Sequence, residues 1–202
     1  MIVGLVGFIG SGKGTVGEML VAEGFYTDSF AKPLKDCVAI IFNWDRELLE
    51  GNTRESREWR DKPDPYWSKV YGSDFTPRKA LQLFGTEACR EGLHRDIWCE
   101  SLGTRVNGIE NVVITDVRFK NEVDYIKKIG GKVVRIQRGP DPVWVDTLSD
   151  LIFSDARENF MNKFNIHKSE WDWVGCDFDV FIRNDWSLDI LRHAVDAAIL
   201  EK

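Results

Sequence analysis

Residues 7–13 read Gly7-Phe8-Ile9-Gly10-Ser11-Gly12-Lys13, the spacing G-x-x-x-x-G-K. Such a segment can hold a chain of phosphates. Its glycines let backbone N–H groups close around anionic oxygens and allow φ values that other residues avoid. Lys13 adds a point charge for the outer phosphates. A helix that begins at this point aims the positive end of its dipole at the same anion. A ligand-free glycine turn is the bland alternative. Context argues against it, because the apolar run Ile2 to Val6 precedes the loop and a helical pattern follows it. The candidate nucleotide-binding residues are therefore Gly10, Ser11, Gly12, Lys13, Gly14 and Thr15. The hydroxyl arrives one place late, at Thr15 after Gly14. The Thr15 hydroxyl is a candidate for Mg²⁺ or for a phosphate oxygen.

A second group with chemistry is Val112-Val113-Ile114-Thr115-Asp116, an apolar run ending in an acid. In an open parallel sheet, ligands sit beyond the carboxyl ends of the strands. Asp116 is thus expected near a metal or an acceptor, holding Mg²⁺ through water. Arg118 lies two residues on and Glu122 falls on the following helix; a surface role for Arg118 is the alternative. A third group is Arg78, Gln82 and Gly85, spaced i, i+4 and i+7 on one helix face. Leu81, Phe84 and Ala88 form an adjacent apolar stripe, so this helix can bury one face and present the other. Glycine at 85 would let a flat base approach the backbone.

The elements that position these groups alternate along the chain. Strands are expected at Ile2–Val6, Phe25–Thr27, Val112–Ile114, Val133–Ile136 and Phe178–Ile182. Helices are expected from Lys13 to about Glu23, from Pro33, from Pro77, over Asp96–Val106, Asn121–Ile129 and Ser187–Leu200, the last capped by Ser187. Two stretches break the rhythm, 45–76 and 139–175, and both read as irregular inserts in a single domain spanning 1–202. The pattern predicts an α/β fold: a three-layer, five-stranded, mainly parallel sheet with helices on both faces. Of 202 residues, 43% are hydrophobic, enough for a core. The net charge of −6 disfavours a general nucleic-acid binder. Four cysteines without C-x-x-C spacing read as reduced thiols of a cytoplasmic protein, and no apolar run reaches the roughly 20 residues a membrane span needs.

The G-K-G-T form of the loop resembles that of adenylate kinase and other nucleoside monophosphate kinases. Further pieces follow in order. They are Phe30-Ala31-Lys32-Pro33-Leu34-Lys35, the run Arg78 to Glu87, Asp96-Ile97-Trp98, Thr115-Asp116-Val117-Arg118-Phe119-x-Asn121-Glu122, His167-x-Ser169-Glu170 and Asn184-Asp185. Together they resemble the deoxynucleoside monophosphate kinases of tailed bacteriophages, nearly end to end. The resemblance implies a P-loop kinase fold, ATP as donor, Mg²⁺, a deoxynucleoside monophosphate as acceptor and a possible homodimer. It also implies roles. Lys32, Lys35 and Arg78 would surround the acceptor phosphate. Gln82, Gly85, Thr86 and Trp98 would line the base and sugar pocket, although Trp98 could equally be core. Asp116, Arg118 and Glu122 would orient acceptor and metal, and Asn184 would lie by the donor's adenine.

Transfer to an ionised phosphate oxygen needs positioning and charge neutralisation, with no general base. The expected catalytic residues are then Lys13, Asp116, Arg118 and Arg138, with Arg57 or Arg60 supplied by the first insert. Two rivals remain: a P-loop kinase with a hydroxyl acceptor of the dephospho-coenzyme A, shikimate or gluconate type, using Asp116 or Asp28 as base, and a nucleotide-binding protein without turnover.

Overall fold

The computed structural model of the chain describes residues 1–201. It divides into two compact units, one formed by Met1–Ser29 with residues 103–202 and the other by Phe30–Leu102.

The first unit is built on five parallel strands: β1 (Ile2–Val6), β2 (Tyr26–Asp28), β3 (Val112–Val117), β4 (Lys132–Gln137) and β5 (Val180–Arg183), in the order β2-β3-β1-β4-β5. Every strand pairing is parallel, which completes the α/β fold expected from the alternation. The alternation of side chains along β1 decides what covers each face. Val3 and Leu5 point into a core with Val16, Met19 and Leu20 of α1 (Lys13–Ala22) and with Leu191 near the C-terminus. Gly4 points the other way, where a side chain would come within about 3.2 Å of Ile126 and Val117. Glycine there lets the helix carrying Ile126 lie close on the opposite face.

The second unit holds α2 (Lys32–Phe42), α3 (Arg54–Asp61), α4 (Pro65–Tyr71) and α5 (Pro77–Gln82). Helix α6 (Ile97–Val106) runs across the boundary in sequence. Val38, Leu49, Phe75 and Ala80 form a separate core, ringed by Phe42, Trp44, Trp59 and Trp67. Trp59 and Trp67 of the first insert are thus packing residues: Trp67 meets Phe42 at 4.8 Å, and Trp59 meets Trp44, just before the insert, at 5.9 Å. The insert is also more regular than expected. Thr53 caps α3 and Asp64 caps α4, each side chain accepting a backbone N–H. The 139–175 stretch is likewise partly ordered, with α8 (Val145–Asp150) and α9 (Ser154–Asn162) following α7 (Lys120–Lys128) and β4. These short helices lack the long apolar period that the sequence reading relied on.

Two helices expected to run straight change winding. After Gln82, α5 continues as π-helix over Leu83–Glu91, and α10 (Leu188–Val195) does so over Asp196–Leu200. Ser187 caps α10 as its position suggested, accepting from the Ile190 N–H.

The end of β2 is fixed by a buried charge. Asp28, whose side chain is fully buried, accepts from the Ser29 N–H at 2.7 Å and from Arg105 Nε at 3.0 Å and Nη2 at 3.2 Å. Arg105 Nη2 also reaches the Ser29 carbonyl at 2.8 Å. Replacing Arg105 by Met would strand that carboxylate without its counter-charge, which costs about 3–5 kcal/mol in comparable cases. Arg105→Met should lower the urea midpoint accordingly, and Arg105→Lys should recover part of the loss. An unchanged midpoint for the Met variant would show that Asp28 is solvated by other means.

Candidate active site

The loop between β1 and α1 is shaped by its surroundings. Gly7 has φ +149°, and a side chain there would meet the Ile136 carbonyl oxygen at 2.2 Å. Gly12 has φ +105°, and a side chain there would meet Asn184 Nδ2 at 2.2 Å. Neither position tolerates anything larger. Asn184 is buried, and its amide donates to the Ser11 carbonyl at 2.9 Å while its backbone N–H donates to Gln137. It therefore braces the phosphate loop from the end of β5, a role more definite than the adenine neighbour implied by resemblance. The Ser11 hydroxyl is buried and has no hydrogen-bond partner. A buried, unsatisfied hydroxyl costs free energy, and a phosphate oxygen in the loop would satisfy it. Gly10 and Gly14 border open space, and Thr15 stands half-buried in the first turn of α1.

Lys13 donates to the carbonyls of Gly7 at 2.7 Å and Phe8 at 3.0 Å. Gly7, Ile9, Lys13, Arg118, Ser169, Glu170 and Trp173 line a common hollow. Arg118 is held there by Glu170, Nη1 to Oε1 at 2.7 Å. Its backbone is held too: Glu122 is buried and accepts the N–H groups of Arg118 at 2.7 Å and Phe119 at 3.1 Å. Glu122 thus caps α7 and presents Arg118. Between Gly4 and Val6 on β1, strand β3 carries one extra residue, a bulge at Thr115-Asp116. Bulges beside active sites re-aim side chains, and this one carries Asp116, whose charge acts on Lys13. Arg138 is exposed just past β4, and its charge is felt by Asp185.

The second unit holds the other predicted residues. Lys32 is exposed, and Lys35 pairs with Glu50. Arg78 grips Asp61 through Nε and Nη2, which holds the Asp61 carboxyl below its usual range. Arg57 is exposed, with Nη1 near the Asn52 carbonyl at 3.4 Å, and Arg60 packs over Gly51. Gln82 is half-buried and Thr86 buried. Gly85 and Trp98 turn out to be packing residues. A side chain at 85 would meet Leu34 at 2.8 Å, so Leu34 already fills the space imagined for a base. Trp98 is buried and donates from its indole to the Gly85 carbonyl at 2.9 Å. Arg78 and Gln82 keep their i, i+4 relation within α5, whereas Gly85 falls in the π-wound part, where α-helical spacing no longer applies.

No protein-family model matches the chain. It is 37% identical to a protein of Acanthamoeba polyphaga mimivirus described as "Putative deoxynucleotide monophosphate kinase", over 68% of this chain and 74% of that protein. The chain belongs to the deoxynucleoside monophosphate kinase family. It is also 28% identical to the deoxynucleoside-5'-monophosphate kinase of Escherichia phage T5, over 63% of this chain and 72% of that one. Among solved structures, a shikimate kinase from Aquifex aeolicus aligns over 100% of this chain and 97% of its own, with 16% identity and a TM-score of 0.46. That distance says nothing about the acceptor.

In this deoxynucleoside monophosphate kinase, the residues not singled out for a role from sequence include Glu170 and Trp173. The quoted His167-x-Ser169-Glu170 motif contained the first of them. Asp61 and Glu50 were hidden because a charge run does not reveal its pairing. Phe8, one of the unspecified positions of the loop, packs on Trp173 at 4.8 Å and on Trp144 at 5.6 Å. These contacts set the 139–175 stretch directly on the phosphate loop.

Burial, and then the Arg118 guanidinium, depress the Lys13 ammonium to about 8, with Glu170 and Asp116 pulling the other way. A polyphosphate placed against Lys13 supplies counter-charge and raises its pKa again. Nucleotide affinity should therefore be insensitive to this group below about pH 8 and weaken as the pH rises above it, with proton uptake on binding. Calorimetry in two buffers of different ionisation enthalpy measures that uptake; none just above pH 8 would rule out Lys13 as the phosphate cation. In the free protein the sign is opposite. The unfolded chain, with Lys13 at its ordinary 10.5, binds more protons than the folded one between about pH 8 and that value. This group's cost to folding is thus relieved as pH rises through the window.

Proposed function

We propose that the chain transfers the γ-phosphoryl group of ATP to the phosphate of a deoxynucleoside monophosphate, giving the diphosphate and ADP. Membership of the family supports the reaction. The observation that carries the mechanism is the pairing of two cations, Lys13 and Arg118, against a loop whose Ser11 hydroxyl is buried without a partner. The loop's N–H groups and the start of α1 hold the donor phosphates. Lys13 takes the charge that grows on the transferring group, and Arg118, steadied by Glu170 and by the Glu122 cap, adds a second cation. Lys32, Lys35, Arg78 and Gln82 are assigned to the acceptor side, with Arg57 and Arg60 as further cations.

Mg²⁺ belongs to this reading. Among the described residues, no three His, Cys, Asp or Glu side chains gather as a metal site. The Thr15 hydroxyl and the Asp116 carboxylate are hard oxygen donors of the kind Mg²⁺ accepts alongside water and phosphate oxygens. When bound, the ion would neutralise charge on the donor phosphates. A cytoplasmic place of action and a homodimer complete the proposal. No described helix is long and apolar enough to cross a membrane.

A hydroxyl acceptor is disfavoured by a specific feature. Such an acceptor needs a base, and one of the two carboxylates that could serve, Asp28, has both oxygens engaged by Arg105 and by the Ser29 N–H. An already ionised phosphate oxygen asks for no base. A coupled ADP-release assay with the four deoxynucleoside monophosphates, and with shikimate and gluconate as hydroxyl controls, tests the assignment. Turnover confined to the controls would overturn it.

Lys13→Ala should keep the fold and lower kcat/KM on the order of 10²–10³-fold, the cost of deleting one preorganised electrostatic contact. Wild-type rates in a folded Ala variant would end this reading of the loop. Asp116→Asn keeps the shape of the side chain and removes its charge. It should lower kcat and raise the Mg²⁺ concentration for half-maximal rate, leaving the shape of the pH–rate profile intact. Loss of a pH-dependent limb at unchanged Mg²⁺ demand would instead mark Asp116 as a base.

A further inference from the structure

The second unit holds a charge cluster that sequence spacing did not announce. Lys35 on α2 and Arg46 in the segment after it share one carboxylate: Glu50 Oε2 takes the Lys35 ammonium and Oε1 takes Arg46 Nη1. Arg46 also binds Asp36 through Nε and approaches the Lys32 carbonyl through Nη2 at 3.5 Å. The Lys35 side chain is 12% exposed and that of Glu50 29%, so both charges have lost much of their water. Burial alone would push the Glu50 carboxyl up, but Lys35 and Arg46 outweigh it and hold the group below its usual range.

A carboxylate with one oxygen on each of two cations occupies donors that would equally suit a phosphate. The two anions differ in charge. Glu50 carries one negative charge, whereas a phosphate monoester above its second pKa of about 6 carries nearly two and offers three strong acceptor oxygens. A neutral or singly charged ligand therefore gains little by exchanging with Glu50, and a dianion gains. We propose that Lys35 and Arg46 bind the phosphate of the acceptor and that Glu50 is the internal counter-ion it displaces. Glu50 then sets a charge threshold among anions, which a dianionic phosphate passes more readily than a simple carboxylate. This rests on the acceptor being a deoxynucleoside monophosphate. Arg46 is thereby a binding residue, and Glu50 a specificity residue that acts through its two cations.

The two roles predict opposite signs. Calorimetric Kd values for the four deoxynucleoside monophosphates, their unphosphorylated nucleosides and ATP are measured on the wild-type, Glu50→Gln and Arg46→Gln proteins. Gln at 50 should tighten monophosphate binding about three- to tenfold, leaving nucleoside and ATP binding unchanged. Gln at 46 should weaken monophosphate binding about tenfold or more, the scale of a lost charge-assisted hydrogen bond. A purely structural salt bridge predicts a lower Tm for both variants with no gain in affinity for either, and that result overturns the proposal. If Gln at 50 melts the protein, Glu50→Asp, which draws the carboxylate back from Lys35, carries the same criterion. A further arm measures inorganic phosphate binding in a Lys13→Ala background, where the nucleotide loop no longer competes. Tightening there by Glu50→Gln upholds the counter-ion exchange even if no deoxynucleoside monophosphate is turned over, whereas failure there with normal turnover removes only this inference.

Discussion

The nucleotide side of this molecule depends on a stretch of backbone to which nothing can be added. Gly7 is pressed against the Ile136 carbonyl of β4, and Gly12 against the Asn184 amide beyond β5. The loop is thus gripped by the carboxyl ends of β4, which neighbours the strand it leaves, and of β5 beyond it, and its curvature is set by the sheet. Preorganisation of this kind matters because phosphoryl transfer asks the protein for position and charge and for little else. Asn184 serves twice, filling the space that glycine leaves and holding the Ser11 carbonyl, so that the loop's shape does not depend on a ligand being bound.

Charge is handled differently in the two units, each taken by itself. In the first, Lys13 and Arg118 share a hollow with Glu170 as the direct partner of Arg118, and burial, with the Arg118 charge second, lowers the Lys13 pKa. In the second, the candidate cations Lys35 and Arg78 are each matched to a carboxylate. Both solutions follow from the cost of desolvating charge. A buried cation kept without enough counter-charge binds anions strongly but gives up proton affinity. One kept paired is stable, and a ligand must displace its partner before it can bind.

Much of this was legible in the sequence where a pattern has one physical cause. The phosphate loop could be read because glycine spacing, a preceding apolar strand and a following helix all serve one backbone shape. The sheet could be read because its central strands, β1, β3 and β4, are largely buried and appear as short β-branched runs. The acceptor helix could not be read fully. Its face of Arg78, Gln82 and Gly85 presupposed 3.6 residues per turn, and the winding changes at Leu83 for reasons no local residue announces. Glu122 and Asn184 were found as chemical residues, but their contacts within the protein, a helix cap and a brace on the phosphate loop, were not legible in a list of letters. The pairings of Arg105 with Asp28, across 77 positions, and of Arg118 with Glu170, across 52, lie beyond any spacing argument.

The aromatic packing around Phe8 connects these electrostatic facts to the chemistry. Trp173 touches the Phe8 ring and also lies against the Arg135 guanidinium at 5.5 Å, and Trp144 meets Phe8 edge-on. These rings exclude water from the flank of the phosphate loop. Excluding water lowers the local dielectric, which lengthens the reach of every charge there. The same environment that makes Lys13 give up its proton more readily therefore makes its remaining positive charge more effective on a phosphate. An anion-binding loop open to solvent would keep an ordinary lysine pKa and would stabilise a transferring phosphoryl group less. Burial of Lys13, costly to the free protein, is thus the physical condition for its use.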